Sequence, residues 1–376
     1  MRTLNALALA TLLAVPAFAQ NLTAPPDGGN QRATVTQNLG LVKVTIDYSS
    51  PRVHRSGEDR RGKIWGKLVP YGMQKTLGYG TCTECPWRGG ANENTVFTTS
   101  HDVKIEGKTL PAGSYGLHIV PMENADWTLI FSKDAGSWGS FWYEPSHDAL
   151  RVNVKPAKSE YHEWLTYEFP ERELDKATAA MMWEDVALPF HISVDNIDQL
   201  YINAMRDELH GALGGNWQTW NDAARYALQH KIALSDALAW ATQGSRADYG
   251  WENYVTLSTL AMAQDANGLA ADAAKTRTRA LAHPSATAAD IHQYARALLA
   301  QGKKQEALEA WQLNQKRYGD AWPVNVGLAR GNSAVGKYKE ALKYAKLALA
   351  QAPDEGNKKM LQTGIEKLEA GKDMNN

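Results

Sequence analysis

At 376 residues the chain is longer than one compact core usually takes, so two domains are expected. Its 40 basic side chains against 41 acidic ones leave a net charge of −1, which argues against a nucleic-acid or anionic-membrane binder and against an acidic disordered tail. The aromatic set is weighted to 13 Trp and 15 Tyr against 6 Phe; such rings suit pockets and interfaces, and β cores as well.

Residues 1–19 read as a secretory signal: Arg2, an apolar run from Leu4 to Val15, then Ala17-Phe18-Ala19 as a small-x-small cleavage pattern before Gln20. That run is too short to span a bilayer, and no later segment approaches the roughly 20 apolar residues a membrane helix needs. The mature chain is therefore expected in the periplasm or secreted, with no membrane span. Residues 20–32, with Pro25-Pro26 and Gly28-Gly29, form a flexible leader.

An all-β domain is expected over 33–195. Apolar and polar residues alternate in Val42 to Tyr48, and the same period recurs at Tyr115-Leu117-Ile119, Trp127-Leu129-Phe131, Leu150-Val152-Val154, Leu165-Tyr167-Phe169 and Phe190-Ile192-Val194. Turn-forming clusters separate these runs and no amphipathic helix intervenes, which predicts an antiparallel β-sandwich-like domain. Composition then shifts to Ala, Leu, Gln and Lys over 196–372. Ala261, Ala295 and Ala329 lie 34 residues apart, as do Gly268, Gly302 and Gly336, and Ala273, Ala307 and Ala341. Small residues at that period, with Gly in the turn between two helices, define a tetratricopeptide-like α-helical repeat domain. Three repeats are clear, a looser pair lies near Trp220 to Thr242, and Met360 to Leu368 forms a cap. Such arrays present a concave surface, so a protein or peptide partner is expected there.

Chemistry concentrates in the β domain. Cys82 and Cys85 are the only cysteines, and in an oxidising compartment a lone C-x-x-C defaults to a local disulfide. Trp87, Arg88, Asn92 and Glu93 lie within seven residues around a Gly pair, which suits a polar ligand or glycan site; an Arg88–Glu93 brace is the structural alternative. His101 and His118 flank a predicted hairpin turning at Glu106-Gly107. If the hairpin folds at its midpoint they face each other, and with His162 or the cysteines they would hold a divalent metal. No G-x-S-x-G, Walker loop, H-E-x-x-H or helix-opening G-x-G-x-x-G is present, so the residues define no reaction.

Several stretches together resemble the exported bacterial family catalogued as domain of unknown function 2911. They are Tyr48-Ser49-Ser50-Pro51, Gly62 to Gly66, Val69 to Gly72, Trp87 to Thr95, Val103 to Gly107, Pro111 to Tyr115 and Trp138-Gly139. The resemblance covers about residues 33–194. It implies a β-sandwich-like domain and brings no established activity. A non-enzymatic binding or scaffolding protein of the cell envelope is the favoured expectation, with a metalloprotein, hydrolytic or oxidative, as the alternative.

Overall fold

The computed structural model describes residues 29–55, 57–75 and 79–376, so the expected signal peptide and residues 20–28 of the leader lie outside the described residues. The chain divides into two units after Ile197.

The first unit holds strands β1 (Gln31–Leu39), β2 (Val42–Ser50), β3 (His54–Arg55), β4 (Glu58–Asp59), β5 (Gln74–Lys75), β6 (Glu84–Cys85) and β7 (Val96–Thr99). After these come β8 (Val103–Ile105), β9 (Lys108–Leu110), β10 (Gly113–Val120), β11 (Trp127–Ser132), β12 (Asp148–Val154), β13 (Ala157–Arg172) and β14 (Lys176–Ser193). Six strands form one sheet in the order β1-β2-β7-β10-β11-β12, and four form another in the order β13-β14-β8-β9. The ladders are antiparallel.

The alternation read from the sequence puts Val42, Val44, Ile46, Leu117, Ile119, Leu129 and Phe131 in the core. The inner faces of the two sheets meet where Tyr48 packs edge-on against Tyr167 at 4.9 Å and Phe131 against Phe190 at 6.4 Å. The chain crosses between the sheets three times: from β7 to the β8–β9 hairpin of the second sheet, back to the first at β10, and again from β12 to β13. Two features escaped the periodicity. Strand β1 begins at Gln31, inside the expected leader, and its outer positions are exposed, so only pairing with β2 identifies it. The β13–β14 hairpin is far longer than the apolar runs that announced it.

The second unit contains α1 (Ile197–Leu209), α2 (Trp217–His230), α3 (Leu234–Gly244), α4 (Tyr254–Ala266), α5 (Ala270–Ala282) and α6 (Ala288–Ala300). It ends with α7 (Lys304–Tyr318), α8 (Trp322–Ala334), α9 (Tyr338–Ala350) and α10 (Glu355–Glu369). Hairpins α4–α5, α6–α7 and α8–α9 carry the 34-residue period. Gly268, Gly302 and Gly336 turn each hairpin with φ of 77°, 77° and 80°, a left-handed conformation that favours glycine. Ala261, Ala273, Ala295, Ala307, Ala329 and Ala341 are buried where the helices cross. The α2–α3 hairpin lacks the glycine: Lys231 and Ala233 take positive φ in its turn, which is why the period was looser there.

Candidate functional site

The polar motif does not form one continuous ligand surface. Trp87 bridges to Ile119 on β10 through two backbone hydrogen bonds of 2.7 and 2.8 Å, which fixes the start of the loop. The loop then bends so tightly that a Cβ on Gly89 would lie 2.7 Å from the Tyr167 hydroxyl, and one on Gly90 2.8 Å from Thr95 Oγ1. Gly89 takes φ of 62° and its carbonyl accepts from Tyr167 at 2.8 Å, so this glycine is required for both reasons. Asn92 follows in the left-handed region, and its side chain accepts from Asn30 at 2.9 Å.

Arg88 and Glu93 part company. Glu93 accepts from the Ser49 hydroxyl at 2.7 Å and pairs with Arg32 at 3.4 Å. Burial alone would raise its carboxyl; the Ser49 hydroxyl, its own backbone amide and the Arg32 charge outweigh that and hold it below the usual carboxylate range. The expected Arg88–Glu93 brace is therefore not formed. Arg88 instead folds back to donate to the Asn92 carbonyl and lays its guanidinium over the Phe141 ring, 4.9 Å from the centroid. Room for it exists because residue 139 is glycine, with φ of 61°; a Cβ there would fall 2.2 Å from Arg88 Cζ. Among the described residues no carboxylate lies within ion-pairing distance of Arg88. Burial pushes its guanidinium below the ordinary arginine value.

Arg88 lines a cleft of about 140 Å³ together with Leu68, Val69, Pro70, Gln74, Cys85, Trp87 and the Ser140–Phe141 pair. Cys82 and Cys85 form a disulfide, as the sequence suggested, and both half-cystines are buried against Val120, Ile130 and Tyr143. The Cys82 amide donates to the Phe141 carbonyl at 2.9 Å, so the disulfide loop grips the wall on which Arg88 rests. Trp87 is mainly a structural wall. Its ring stacks on Trp183 at 6.2 Å and 18°, its edge meets Trp65, and its Nε1 donates to the Gly90 carbonyl at 3.1 Å. Of the four expected ligand residues, the structure brings Trp87 and Arg88 to the cleft; Asn92 supplies only its carbonyl to Arg88, and Glu93 serves the β1–β2 side.

The histidines do not meet. The hairpin closes at Glu106-Gly107, with Val103 opposite Leu110, so its partner for His101 would be near residue 112, not 118. The β7–β10 ladder runs from Gly113↔Thr99 to Gly116↔Val96, with His101 past one end and His118 past the other. At about 3.3 Å per residue that separates them by at least about 10 Å of strand. His101 sits on the turn with its Nδ1 at Ser100 Oγ, and His162 stands opposite Glu184 on the β13–β14 hairpin. Both cysteines are in the disulfide. No group of three or more His, Cys, Asp or Glu side chains among the described residues is arranged to hold a metal ion.

His118 is instead a buried neighbour of the cleft. Its Nδ1 pairs with the Ser140 hydroxyl at 2.9 Å, and its ring meets Tyr143 edge-on at 5.3 Å. Burial, and then the Arg88 charge, lower its pKa to about 4 against a smaller opposite pull from Asp134, so at neutral pH the imidazole is uncharged. Sequence reasoning missed Gln74, Ser140 and Phe141. The only available signal for the last two was their position just after Trp138-Gly139.

Residues 30–192, most of the β unit, match the model of the family described as protein of unknown function (DUF2911). No curated protein matches the chain. Among solved structures, the chain is similar to a Podosopora anserina putative kinesin light chain with nearly identical TPR-like repeats, at 21% identity over 41% of this chain and 85% of that one, TM-score 0.31. It is also similar to Pseudomonas aeruginosa pilF, at 15% identity over 43% of this chain and 72% of that one, TM-score 0.31. The repeat assignment rests on the helix hairpins and their 34-residue period. No helix among the described residues is long and apolar enough to cross a membrane.

Proposed function

We propose that the chain is an exported binding and scaffolding protein of the cell envelope. Its β unit holds a small ligand through an anionic group at Arg88, and its repeats hold a protein partner. The single observation carrying the ligand half is Arg88 itself. A guanidinium partly stripped of water, resting on an aromatic ring and facing a cleft with no carboxylate beside it, is energetically incomplete until an anion arrives. Export is supported by the signal-like residues 1–19 and by a disulfide where reducing compartments leave thiols.

The partner half is supported by a second cleft, about 290 Å³, walled by the first helices of successive repeats. Arg296 on α6 and Arg330 on α8 occupy the same repeat position, 34 residues apart, and repel each other across it. Gln293, Asn357 and the apolar Trp322, Val326 and Met360 complete the lining, which suits an acidic segment of a partner protein.

Thermal shift of the full-length mature protein against a panel of small carboxylates and phosphates tests the first half. Stabilisation that disappears in Arg88→Ala supports it; a flat response across the panel removes it. For the second half, partner capture in the envelope should be lost in the Arg296→Glu, Arg330→Glu double variant, and capture that survives charge reversal would place the partner elsewhere.

A further inference from the structure

The cleft at Arg88 is too small to enclose a whole ligand. Pockets that bury a drug-sized molecule run from about 300 to 1,000 Å³, and this one offers about 140 Å³. Whatever binds there seats one unit inside and leaves the rest outside, so the surroundings of the mouth decide the ligand class.

Those surroundings are aromatic. Phe141, under the Arg88 guanidinium, is met edge-on by Tyr79 at 4.9 Å and by Trp142 at 6.3 Å, and Tyr79 meets Trp142 at 5.4 Å. Tyr79 is 58% exposed and Trp142 41%, while Trp138, next to the glycine that admits Arg88, is 50% exposed. Large rings left in water beside a mostly apolar cleft that holds one guanidinium mark a binding face rather than core. The platform is also held still. A Cβ on Gly80 would lie 2.2 Å from the Phe141 carbonyl oxygen, so the two backbones are in close contact, and the Cys82 amide donates to that same carbonyl. A face fixed in advance loses little entropy on binding.

We propose that this face binds an acidic saccharide chain, with the carboxylate of one uronic-acid-type unit at Arg88 and neighbouring sugar rings lying on Tyr79, Trp142 and Trp138. The proposal rests on the anion reading of Arg88 and names its ligand class. A lone cation calls for one negative charge per site rather than a phosphate polymer, in keeping with a chain whose net charge is −1. Ser140, whose hydroxyl is engaged by His118, and Gln74 line the cleft with Arg88. The Gln74 amide nitrogen already donates to the Pro70 and Gly72 carbonyls at 3.0 Å each, which leaves its oxygen to accept from a sugar hydroxyl. Peptides are usually held along a sheet edge or in a groove with serial side-chain pockets. A single shallow pocket opening on aromatic faces suits a flat ring with apolar faces and hydroxyl edges.

The test is calorimetric titration of the full-length mature protein with a galacturonate tetramer, its methyl-esterified form, free galacturonate, and a hexapeptide bearing a free C-terminal carboxylate. The tetramer should bind at least about 10-fold more tightly than its ester and than free galacturonate. Trp142→Ala, at an exposed ring, should cost the tetramer about 10-fold while leaving free galacturonate unchanged, and Arg88→Ala should weaken both acids. If free galacturonate binds through Arg88 but the tetramer gains nothing and Trp142→Ala is silent, the saccharide proposal is overturned while the anion reading stands. If the peptide binds more tightly than the tetramer, the ligand class is wrong. If no acid binds and Arg88→Ala changes nothing, both readings fall together.

Discussion

Two residues near the cleft carry predictions of their own. Gly139 takes φ of 61° beneath the Arg88 guanidinium. Alanine there adopts the left-handed region at a cost of about 1–2 kcal/mol and pushes the guanidinium off Phe141. Gly139→Ala is therefore expected to fold with a lowered melting temperature and to lose anion binding at least about 10-fold; unchanged affinity would show that the seat of Arg88 is irrelevant. His118 makes the β unit acid-sensitive. Its pKa falls from the ordinary 6.5 to about 4 on folding, so the unfolded chain takes up the proton first as pH drops. The stability is fully present above about pH 6.5 and is lost as pH falls toward 4. Between pH 7 and pH 5 that amounts to about 2 kcal/mol. His118→Gln should flatten the pH dependence of the urea midpoint across this range, and an unaltered slope would reject the assignment.

At the scale of elements, the disulfide and the repeat interface behave differently. The Cys82–Cys85 loop is short, so by chain entropy it contributes only about 2 kcal/mol. Its larger effect should be on the cleft wall, because Cys85 lines the cleft and the Cys82 amide holds Phe141. Cys82→Ser with Cys85→Ser is expected to lower the melting temperature modestly and to weaken ligand binding by a larger factor; the reverse order of effects would contradict this. In the repeats, Trp311 of α7 is fully buried against Gly327 and Gly331 of α8, and a Cβ on Gly327 would lie 2.1 Å from its ring. Helix propensity alone favours alanine by about 1 kcal/mol, whereas overpacking costs about 1–3 kcal/mol. Gly327→Ala should therefore destabilise, and a gain in denaturation midpoint would mean that the helices re-space freely.

For the molecule as a whole, each unit has its own buried cluster, one built from strand alternation and one from alanine-lined helix crossings. Calorimetry should accordingly resolve two cooperative transitions, with Gly327→Ala moving one and the cysteine replacements moving the other. A single transition shifted by both changes would refute independent folding. The two patterns that define the units are local. Period two in the strands and period 34 in the repeats are written into neighbouring residues, which is why both fold types could be read before any coordinate. Where pattern was weak, reading failed: β1 has little apolar alternation, and the α2–α3 turn has no glycine. The polar motif was legible as a cluster, but composition cannot say which side chains pair. Arg88 and Glu93 look like partners in sequence and face different neighbours in space. His101 and His118 look like a metal pair and lie past opposite ends of one ladder, because register is set by where a hairpin closes and not by the midpoint of a segment. The sequence by itself determined two fold types, the 34-residue repeat and the chance of a Cys82–Cys85 disulfide. Only the tertiary structure decided that Arg88 stands without a carboxylate over Phe141, since a long-range contact between residues 53 positions apart is fixed by packing and leaves no local trace.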